Sequence, residues 1–275
     1  MGNGKRKRAR FLEAHPWCCF CGGDEQATTI DHIPARACFK NRAYPEGFEF
    51  PACSSCQAAS RKDDMAFAFY VRLLDRNPEN FDDAEIDRMM AGLRNNLPHL
   101  FPDGHLTNRE KRKVLRQMGL EKPQGLALSQ VPAVKFDSIV HSHIDRYTRK
   151  IALALYYREQ GVSARRDHMM LASWGQSASP TFVASMAGFV NMTPIVTVGA
   201  RSNLNFGDQF SYRCNKRLQP DVFAMIAQFG AGIIINCLIV EPDFHAKLDE
   251  KSDVDGTRPI GVWVSVKNNY PPLVG

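Results

Sequence analysis

The chain has 275 residues, of which 44% are hydrophobic and 23% are charged, so it can bury a sizeable core in one large domain or two ordinary ones. This composition excludes a mostly disordered, collagen-like or coiled-coil protein. The net charge is +6, and the longest apolar run, residues 230–240, is too short for the roughly 20 residues that a bilayer-spanning helix needs. No membrane association is therefore expected.

The segment before the first cysteine is basic. Its first ten residues contain five Lys or Arg side chains and no acid. Such a run suits a phosphate backbone, and a solvated, unstructured terminus is the equally simple alternative. No apolar stretch follows, so the segment is not a secretory signal and the expected compartment is a reducing cytoplasm. Paired cysteines in that compartment indicate metal binding rather than disulfides.

Two closely spaced cysteine pairs follow in the first quarter of the chain. Cys18 and Cys21 precede Gly22, and Cys53 and Cys56 form the second pair. Two C-x2-C pairs can place four thiolates around one zinc ion at tetrahedral geometry, and Gly22 tolerates the positive φ of a sharp turn under the metal. The alternative is four buried or redox-active thiols. The redox alternative is disfavoured because no thioredoxin-like βαβ pattern surrounds them.

The other four of the eight cysteines lie outside this register. Cys19 is either a neighbour of the first pair or an alternate metal ligand. Cys38 lies between the pairs and is expected to be structural. Cys214 and Cys237 are far away and are expected to be small core residues.

A short predicted strand with two functional side chains lies between the cysteine pairs. Residues 28–33 have strand composition, and Asp31 and His32 stand at its end. Adjacent strand residues point to opposite faces, so a bend at Pro34 is needed for both to reach one site. Asp31 can bind a hard divalent cation through oxygen, and a neutral His32 can take a proton from water. The alternative is a hydrogen-bonded histidine with no chemical role.

Residues 65–133 are predicted to be a helical segment ending in a linker. A helix begins near Cys53 and continues through the apolar run that follows the cysteines. A second helix is predicted over 82–96, with acids at its start. A third begins at Thr107 with a capping-box pattern. Residues 120–134 are rich in Pro, Gly and Gln and indicate a linker.

Residues 134–275 are predicted to form an α+β domain. A long helix is expected from about 137 to 160, with one apolar face made of Val140, Ile144, Tyr147, Ile151 and Leu155. Strands are expected over residues 194–198, 209–213, 232–240 and 260–266. Pro220 and Asp221 are predicted to open a short helix. No motif assigns a role to this domain. A regulatory ligand, a protein partner or further DNA binding is a hypothesis by analogy.

The cysteine pairs, the sequence Asp31-His32-Ile33 and the Pro51-Ala-Cys-x2-Cys segment together resemble the HNH (His-Me finger, ββα-metal) endonucleases, in the subgroup with a four-cysteine zinc site. The resemblance covers roughly residues 15–65. It implies a hairpin followed by a helix that starts at the second cysteine pair. It also implies that DNA is the substrate, that His32 is the general base, and that Asp31 binds one catalytic Mg²⁺ or Mn²⁺ distinct from the zinc.

The chain is therefore predicted to be α+β. Residues 11–64 would form a zinc-stapled ββα-metal finger, which we call the finger, and residues 65–133 the helical segment. Residues 134–275 would form the α+β domain.

Two positions depart from the family pattern. The family usually places Asn directly after the last cysteine as a second metal ligand, and here Gln57 keeps the amide oxygen but adds a methylene. The family's middle Asn corresponds to Phe48, for which either Glu49 or Asn41 can substitute. A catalytically impaired module that binds nucleic acid or protein is therefore the alternative to an active endonuclease.

Basic side chains near the Asp31-His32 pair are predicted to contact the DNA backbone. Bases close to a scissile phosphate neutralise its charge and steer DNA into the site. The alternative for each is ordinary surface charge. The predicted contacts are Arg36, Lys40, Arg42, Arg61 and Lys62.

Overall fold

The computed structural model describes residues 3–75, 77–80, 82–100, 107–117, 127–128, 138–177, 179–198, 200–201, 204–215, 221–255 and 262–269. Over these ranges the chain folds into helices and antiparallel sheets, which is the α+β class that the sequence predicts. None of the helices described there has both the length and the apolar character needed to cross a bilayer.

The basic N-terminal residues lie on a helix, α1 (Asn3–Ala14). The unstructured alternative for this segment is therefore wrong. Side chains 4–10 are all exposed, so the run presents its positive charge to solvent. Arg8 connects the helix to the finger, because its guanidinium donates to the carbonyl oxygen of Thr28 at 2.7 Å.

The predicted hairpin and helix follow α1. Strand β1 (Thr29–His32) pairs antiparallel with β2 (Glu49–Ala52), and α2 (Ser54–Leu74) begins after the next residue. Two 3₁₀ turns over 36–42 occupy the connection between the strands. Helix α2 continues past residue 64, so the boundary predicted there lies inside one helix. The three-part division of the chain itself stays a prediction.

The predicted helices of the middle segment are confirmed as α3 (Asp83–Asn96) and α4 (Asn108–Gln117). Asp82 caps α3 by accepting from a backbone N–H of the first turn at 3.0 Å. Thr107 forms the predicted capping box of α4, with side-chain bonds in both directions. Only two residues of the linker predicted over 120–134 are among those described.

Helix α5 (Ser138–Gln160) is the central element of the fold. It packs against α2 on one side and against the C-terminal sheet on the other. Its predicted apolar face is buried, with Val140, Ile144, Tyr147, Ile151 and Leu155 all in the core. Gly161 ends the helix at φ +76°, as a glycine C-cap should.

The C-terminal region forms a six-stranded antiparallel sheet. Its strands in chain order are β3 (Met169–Gln176), β4 (Ile195–Val198), β7 (Phe210–Cys214), β8 (Val222–Phe229), β9 (Ile233–Val240) and β10 (Trp263–Ser265). Their order across the sheet is β10-β3-β9-β8-β7-β4. The remaining elements are α6 (Pro180–Ser185), α7 (Ala187–Met192), the two-residue strands β5 (Ala200–Arg201) and β6 (Leu204–Asn205), and α8 (Pro242–Asp255).

The structure corrects one predicted element of this region. The helix predicted to open at Pro220 and Asp221 is instead strand β8, and Pro220 itself lies outside the described residues. All but one residue of β8 is buried, so its sequence lacks the apolar–polar alternation that distinguishes a strand from a buried helix. Residues 260 and 261 of the final predicted strand also lie outside the described part of the chain.

One hydrophobic core joins the finger to the sheet. Phe48 of the finger meets Phe210 of the sheet edge-on, with ring centroids 5.4 Å apart. Phe67 of α2 lies 4.3 Å from the ring of Tyr147 in α5 and 5.0 Å from that of Phe229 in β8. These contacts fix the position of α5, and therefore of its side chains, relative to the finger.

Candidate metal centre and catalytic site

The four cysteines of the two C-x2-C pairs come together as predicted. The sulfurs of Cys18, Cys21, Cys53 and Cys56 all lie within 4.8 Å of one another. Four sulfurs at 2.3 Å from one zinc ion stand about 3.8 Å apart, so the cluster can hold such an ion after a small contraction. Gly22 follows at φ +76°, which confirms the turn expected beneath the metal.

Local hydrogen bonds connect these sulfurs to the backbone and to one another. The backbone N–H of Phe20 donates to Cys18 Sγ at 3.4 Å, and the N–H of Cys56 donates to Cys53 Sγ at 3.4 Å. Hydrogen bonds with Cys18 and Cys56 lower the pKa of Cys21, whereas hydrogen bonds with Cys18 and Cys21 raise the pKa of Cys56. A metal ion that binds all four thiolates replaces these shared protons.

Cys19 and Cys38 lie outside the metal cluster. Both are buried, and burial raises the pKa of each thiol, so they are protonated small core residues at neutral pH. The four-cysteine cluster is complete without Cys19. Cys19 is therefore a neighbour of the first pair rather than a ligand.

A buried lysine from α5 reaches the predicted catalytic aspartate. Lys150 has no exposed surface, and its Nζ lies 2.8 Å from Asp31 Oδ2. The same Nζ donates to Asp64 Oδ1 at 2.7 Å and to Ser60 Oγ at 2.7 Å. Both of these partners are on α2. The ammonium of Lys150 therefore bridges α5, β1 and α2; we call Asp31, Ser60 and Asp64 the oxygen cage.

The lysine in this cage is charged. Burial alone would lower the pKa of Lys150, but Asp64 and Asp31 outweigh burial, and the net shift is upward. Burial also raises the pKa of Asp64 to about 7 against the opposing effect of Lys150. The ammonium is thus shared by Asp31 and by an Asp64 carboxyl group that loses its proton near neutral pH.

His32 lies at the end of β1, half-buried, with its ring in contact with polar neighbours. Its backbone N–H donates to Asp31 Oδ1 at 2.9 Å, which orients that carboxylate. The His32 ring stands edge-on to Tyr44 with centroids 4.8 Å apart. Across the hairpin His32 is paired with Glu49, which accepts from the Tyr44 hydroxyl at 3.3 Å.

The contact between His32 and Arg36 defines the protonation state of the ring. Arg36 Nη2 lies 2.7 Å from His32 Nε2, and a guanidinium can only donate. His32 Nε2 is therefore an acceptor whose lone pair is engaged by Arg36, and the ring is neutral. Burial, followed by the charge of Arg36, lowers the pKa of His32, in agreement with a neutral imidazole.

The other basic residues predicted to contact DNA differ in availability. Lys40 is engaged, because its Nζ donates to the Glu79 carbonyl. Arg42 is exposed at φ +57° and lines a cavity of about 520 Å³ between the 36–42 turns, α2 and α3. Arg61 and Lys62 are exposed on the early turns of α2. Of the five predicted bases, Arg36 is the one with a contact to His32 at the end of β1 among the described residues.

The positions that depart from the family pattern have different surroundings. Gln57 is half-buried at the start of α2, and within the described residues its side chain forms no hydrogen bond with Asp31. Phe48 is a core residue, with the Arg158 guanidinium stacked 4.3 Å from its ring centre. Of the two possible substitutes, Glu49 lies beside His32, whereas Asn41 lines the cavity next to Arg42.

Sequence reasoning missed the second half of the site. Lys150 carries a signal, because it stands next to Ile151 and three residues after Tyr147, on the apolar face of a predicted helix. A lysine at such a position needs a buried partner. The sequence gives no means of finding that partner, since Asp31 lies more than a hundred residues earlier. Ser60 and Asp64 carry no comparable signal.

Comparisons with known proteins add no constraint to this site: no family model, curated protein or solved structure matches the chain.

Proposed function

We propose that this chain is an HNH-type endonuclease that hydrolyses DNA phosphodiester bonds, with His32 as the general base. The supporting observation is the neutral His32 ring, whose Nε2 accepts from Arg36 at 2.7 Å, on the hairpin that lies in sequence between the two cysteine pairs. A neutral imidazole with an adjacent guanidinium suits a reaction that deprotonates water next to a phosphate.

The proposed reaction begins when a phosphate takes the place of His32 as the partner of Arg36. A phosphate oxygen is a stronger acceptor for a guanidinium than a neutral imidazole is. Nε2 is then free to take a proton from water, and the resulting hydroxide attacks the phosphorus. The bond from phosphorus to the 3′ oxygen breaks, and the departing 3′ oxygen takes a proton from solvent. Arg42, Arg61 and Lys62 are the bases proposed to hold the flanking phosphates.

The metal bound by the four cysteines is proposed to be zinc with a structural role. All four ligands are protein thiolates, which leaves no open position for a substrate or water. The ion would hold the knuckle at Cys18 against the start of α2, and so fix β1 between them.

The catalytic Mg²⁺ or Mn²⁺ that the family resemblance implies does not fit Asp31 as it is arranged. Asp31 Oδ2 already carries the Lys150 ammonium at 2.8 Å, in the place that a divalent ion would need. We therefore derive no step through a divalent ion, and the proposed chemistry rests on His32 and Arg36.

The second candidate is a zinc-stapled module that binds nucleic acid without cutting it. The observation that favours it is the same Lys150–Asp31 ion pair, because a family member with its aspartate neutralised lacks the usual metal ligand. The two candidates share a binding surface and differ in whether the phosphodiester bond breaks.

A plasmid-nicking assay on the zinc-loaded full chain separates the two candidates. It compares wild type with His32→Ala and with His141→Ala, an exposed histidine on α5 that serves as the matched control. We expect nicking by wild type and by His141→Ala, with a loss of about 10²–10⁴-fold in His32→Ala, the usual contribution of a general base. Each reaction is run with Mg²⁺, with Mn²⁺ and with EDTA.

The outcomes have distinct meanings. Equal nicking by His32→Ala and wild type would remove His32 as the base. DNA binding by a wild-type chain that nicks under none of the three conditions would establish the second candidate instead.

A further inference from the structure

The oxygen cage around Lys150 has the composition of a cation site. Three oxygens converge on one Nζ at 2.7–2.8 Å, two from carboxylates and one from a hydroxyl. Ser60 and Asp64 accept hydrogen bonds from Lys150, and Asp31 Oδ2 forms an ion pair with it. Carboxylate and hydroxyl oxygens are also the ligands that hard divalent cations take in proteins.

Aromatic rings enclose the Lys150 ammonium in addition to the oxygens of the cage. Its Nζ lies 5.6 Å from the ring centre of Phe20 and 5.8 Å from that of Tyr147, so aromatic faces surround the charge. The Tyr147 hydroxyl in turn accepts from the Ala35 N–H at 2.6 Å, which ties the same turn of α5 to the loop after β1. The ring of Tyr147 and its hydroxyl contact with Ala35 therefore both restrict the position of the Lys150 ammonium.

An ammonium and a divalent ion cannot occupy this cage together. Mg²⁺ or Mn²⁺ needs oxygens at roughly 2.0–2.2 Å, which places the ion inside the volume that Nζ fills. Removal of the ammonium leaves two carboxylates and a hydroxyl facing one another in a buried space. Such an arrangement is unfavourable unless another cation enters or a carboxylate becomes protonated.

We propose that Asp31, Ser60 and Asp64 form a cation site that the chain fills with its own Lys150 ammonium, so that a divalent cation binds there only when that ammonium is removed. Ser60 and Asp64, rather than Gln57, are the α2 ligands of this site. The inference deepens the proposed function, on which it rests for the position of Asp31 beside the reacting phosphate. Helix α5 thereby controls which cation faces the finger.

Direct Mn²⁺ binding to the zinc-loaded full chain tests the proposal without any measurement of cutting. The free Mn²⁺ signal in electron paramagnetic resonance is titrated for wild type, Lys150→Met and Lys247→Met at neutral pH. Lys247 is exposed on α8 and gives the same substitution away from the cage. We expect Lys150→Met to bind one Mn²⁺ per chain at least about tenfold more tightly than wild type and Lys247→Met, because the ammonium no longer competes for the oxygens.

A second substitution identifies the ligands. Adding Asp64→Asn to Lys150→Met should return Mn²⁺ binding to the wild-type level, whereas adding Gln57→Ala should leave it unchanged. If Gln57→Ala abolished Mn²⁺ binding by Lys150→Met and Asp64→Asn did not, the assignment of ligands would be overturned. A folded, zinc-loaded Lys150→Met chain that binds Mn²⁺ no better than wild type would overturn the cation site.

The wild-type chain decides the matter if Lys150→Met does not fold. Under the proposal, Asp31→Asn does not reduce Mn²⁺ binding by an otherwise wild-type chain. Mn²⁺ binding by wild type that is lost in Asp31→Asn would overturn the proposal. These results are independent of nicking. If the wild-type chain nicks DNA under none of the three conditions while Lys150→Met binds Mn²⁺, the cation site stands and the endonuclease is removed.

Discussion

Asp63 and His143, which are 80 residues apart in the sequence, meet in the interior, where His143 Nδ1 lies 2.6 Å from Asp63 Oδ1. Both side chains are completely buried. The guanidinium of Arg146 also donates to Asp63 Oδ1, at 2.5 Å. One carboxylate on α2 thus satisfies two side chains on α5, one turn before the Lys150 contact.

Removing the Asp63 charge is expected to destabilise the whole fold. In Asp63→Asn the buried Arg146 guanidinium loses its counter-charge, and breaking a buried ion pair costs about 3–5 kcal/mol. Denaturant unfolding followed by circular dichroism measures the change. Asp87→Asn, on the exposed face of α3, is the matched control and should alter the free energy of unfolding by less than about 0.5 kcal/mol. Equal effects of the two substitutions would contradict the role of Asp63.

Zinc content should depend on four cysteines and not on their neighbours. We expect about one zinc per chain in wild type, and a loss of that zinc on Cys→Ser substitution at position 18, 21, 53 or 56, since each thiolate supplies one ligand. Atomic absorption on the purified chain measures the stoichiometry.

Cys19→Ala is the control for this measurement, because its thiol is adjacent to the first pair but outside the cluster. It should retain full zinc content. Loss of zinc in Cys19→Ala together with retention in Cys18→Ser would show that the register of the first pair is shifted by one residue.

Arg36 is expected to contribute to DNA affinity through a phosphate contact. Arg36→Gln removes the exposed guanidinium next to His32 and should weaken binding at low salt. The slope of log K against log salt concentration should fall by about 1, the loss of one phosphate contact. Fluorescence anisotropy at several salt concentrations measures both. Arg165→Gln, an exposed arginine paired with Asp167, should leave the slope unchanged, and an unaltered slope in Arg36→Gln would argue against the contact.

Acid should destabilise the fold in part through His168. Burial, with Arg165 nearby, lowers the pKa of His168, so the folded chain keeps this ring neutral where the unfolded chain protonates it. His168 therefore does not change the free energy of unfolding above about pH 6.5. That free energy falls as the pH drops from 6.5 toward the lowered pKa of His168 in the fold. The loss is at most about 1.4 kcal/mol per pH unit.

Denaturant unfolding at pH 7.5 and pH 5.5 tests the His168 effect. His168→Gln cannot titrate, so the difference in stability between the two pH values should be smaller in this variant than in wild type. The groups that titrate in both chains cancel in this comparison. An identical pH dependence of the two chains would show that His168 takes up its proton at the same pH in the folded and the unfolded chain.

Local signals in the sequence predict a large part of this structure. The C-x2-C spacings predict the sulfur cluster, the capping residues Asp82 and Thr107 predict where α3 and α4 begin, and β1 is confirmed over Thr29–His32. Each of these features depends on residues close together in the chain. The same holds for the apolar face of α5, which is a matter of helical spacing alone.

Features that depend on distant pairing are not predictable in this way. Strand β3 mixes apolar and polar residues without alternation, and β8 is buried on both faces, so neither shows a strand period. The Lys150 contact with Asp31 joins two segments whose separation is determined only by the packing of α5 on α2. The sequence identifies Asp31 as a site residue and leaves its partner undetermined.

The ring contact of Phe48 with Phe210 has a consequence for how the molecule opens. It places the finger and the sheet in a single hydrophobic core, so the amides of β2 are not expected to exchange with deuterium through a local opening of the finger. Their exchange should instead follow the opening of the sheet, at the same free energy as the amides of β8. A chelator that removes the zinc would then accelerate exchange in strands that never touch the metal.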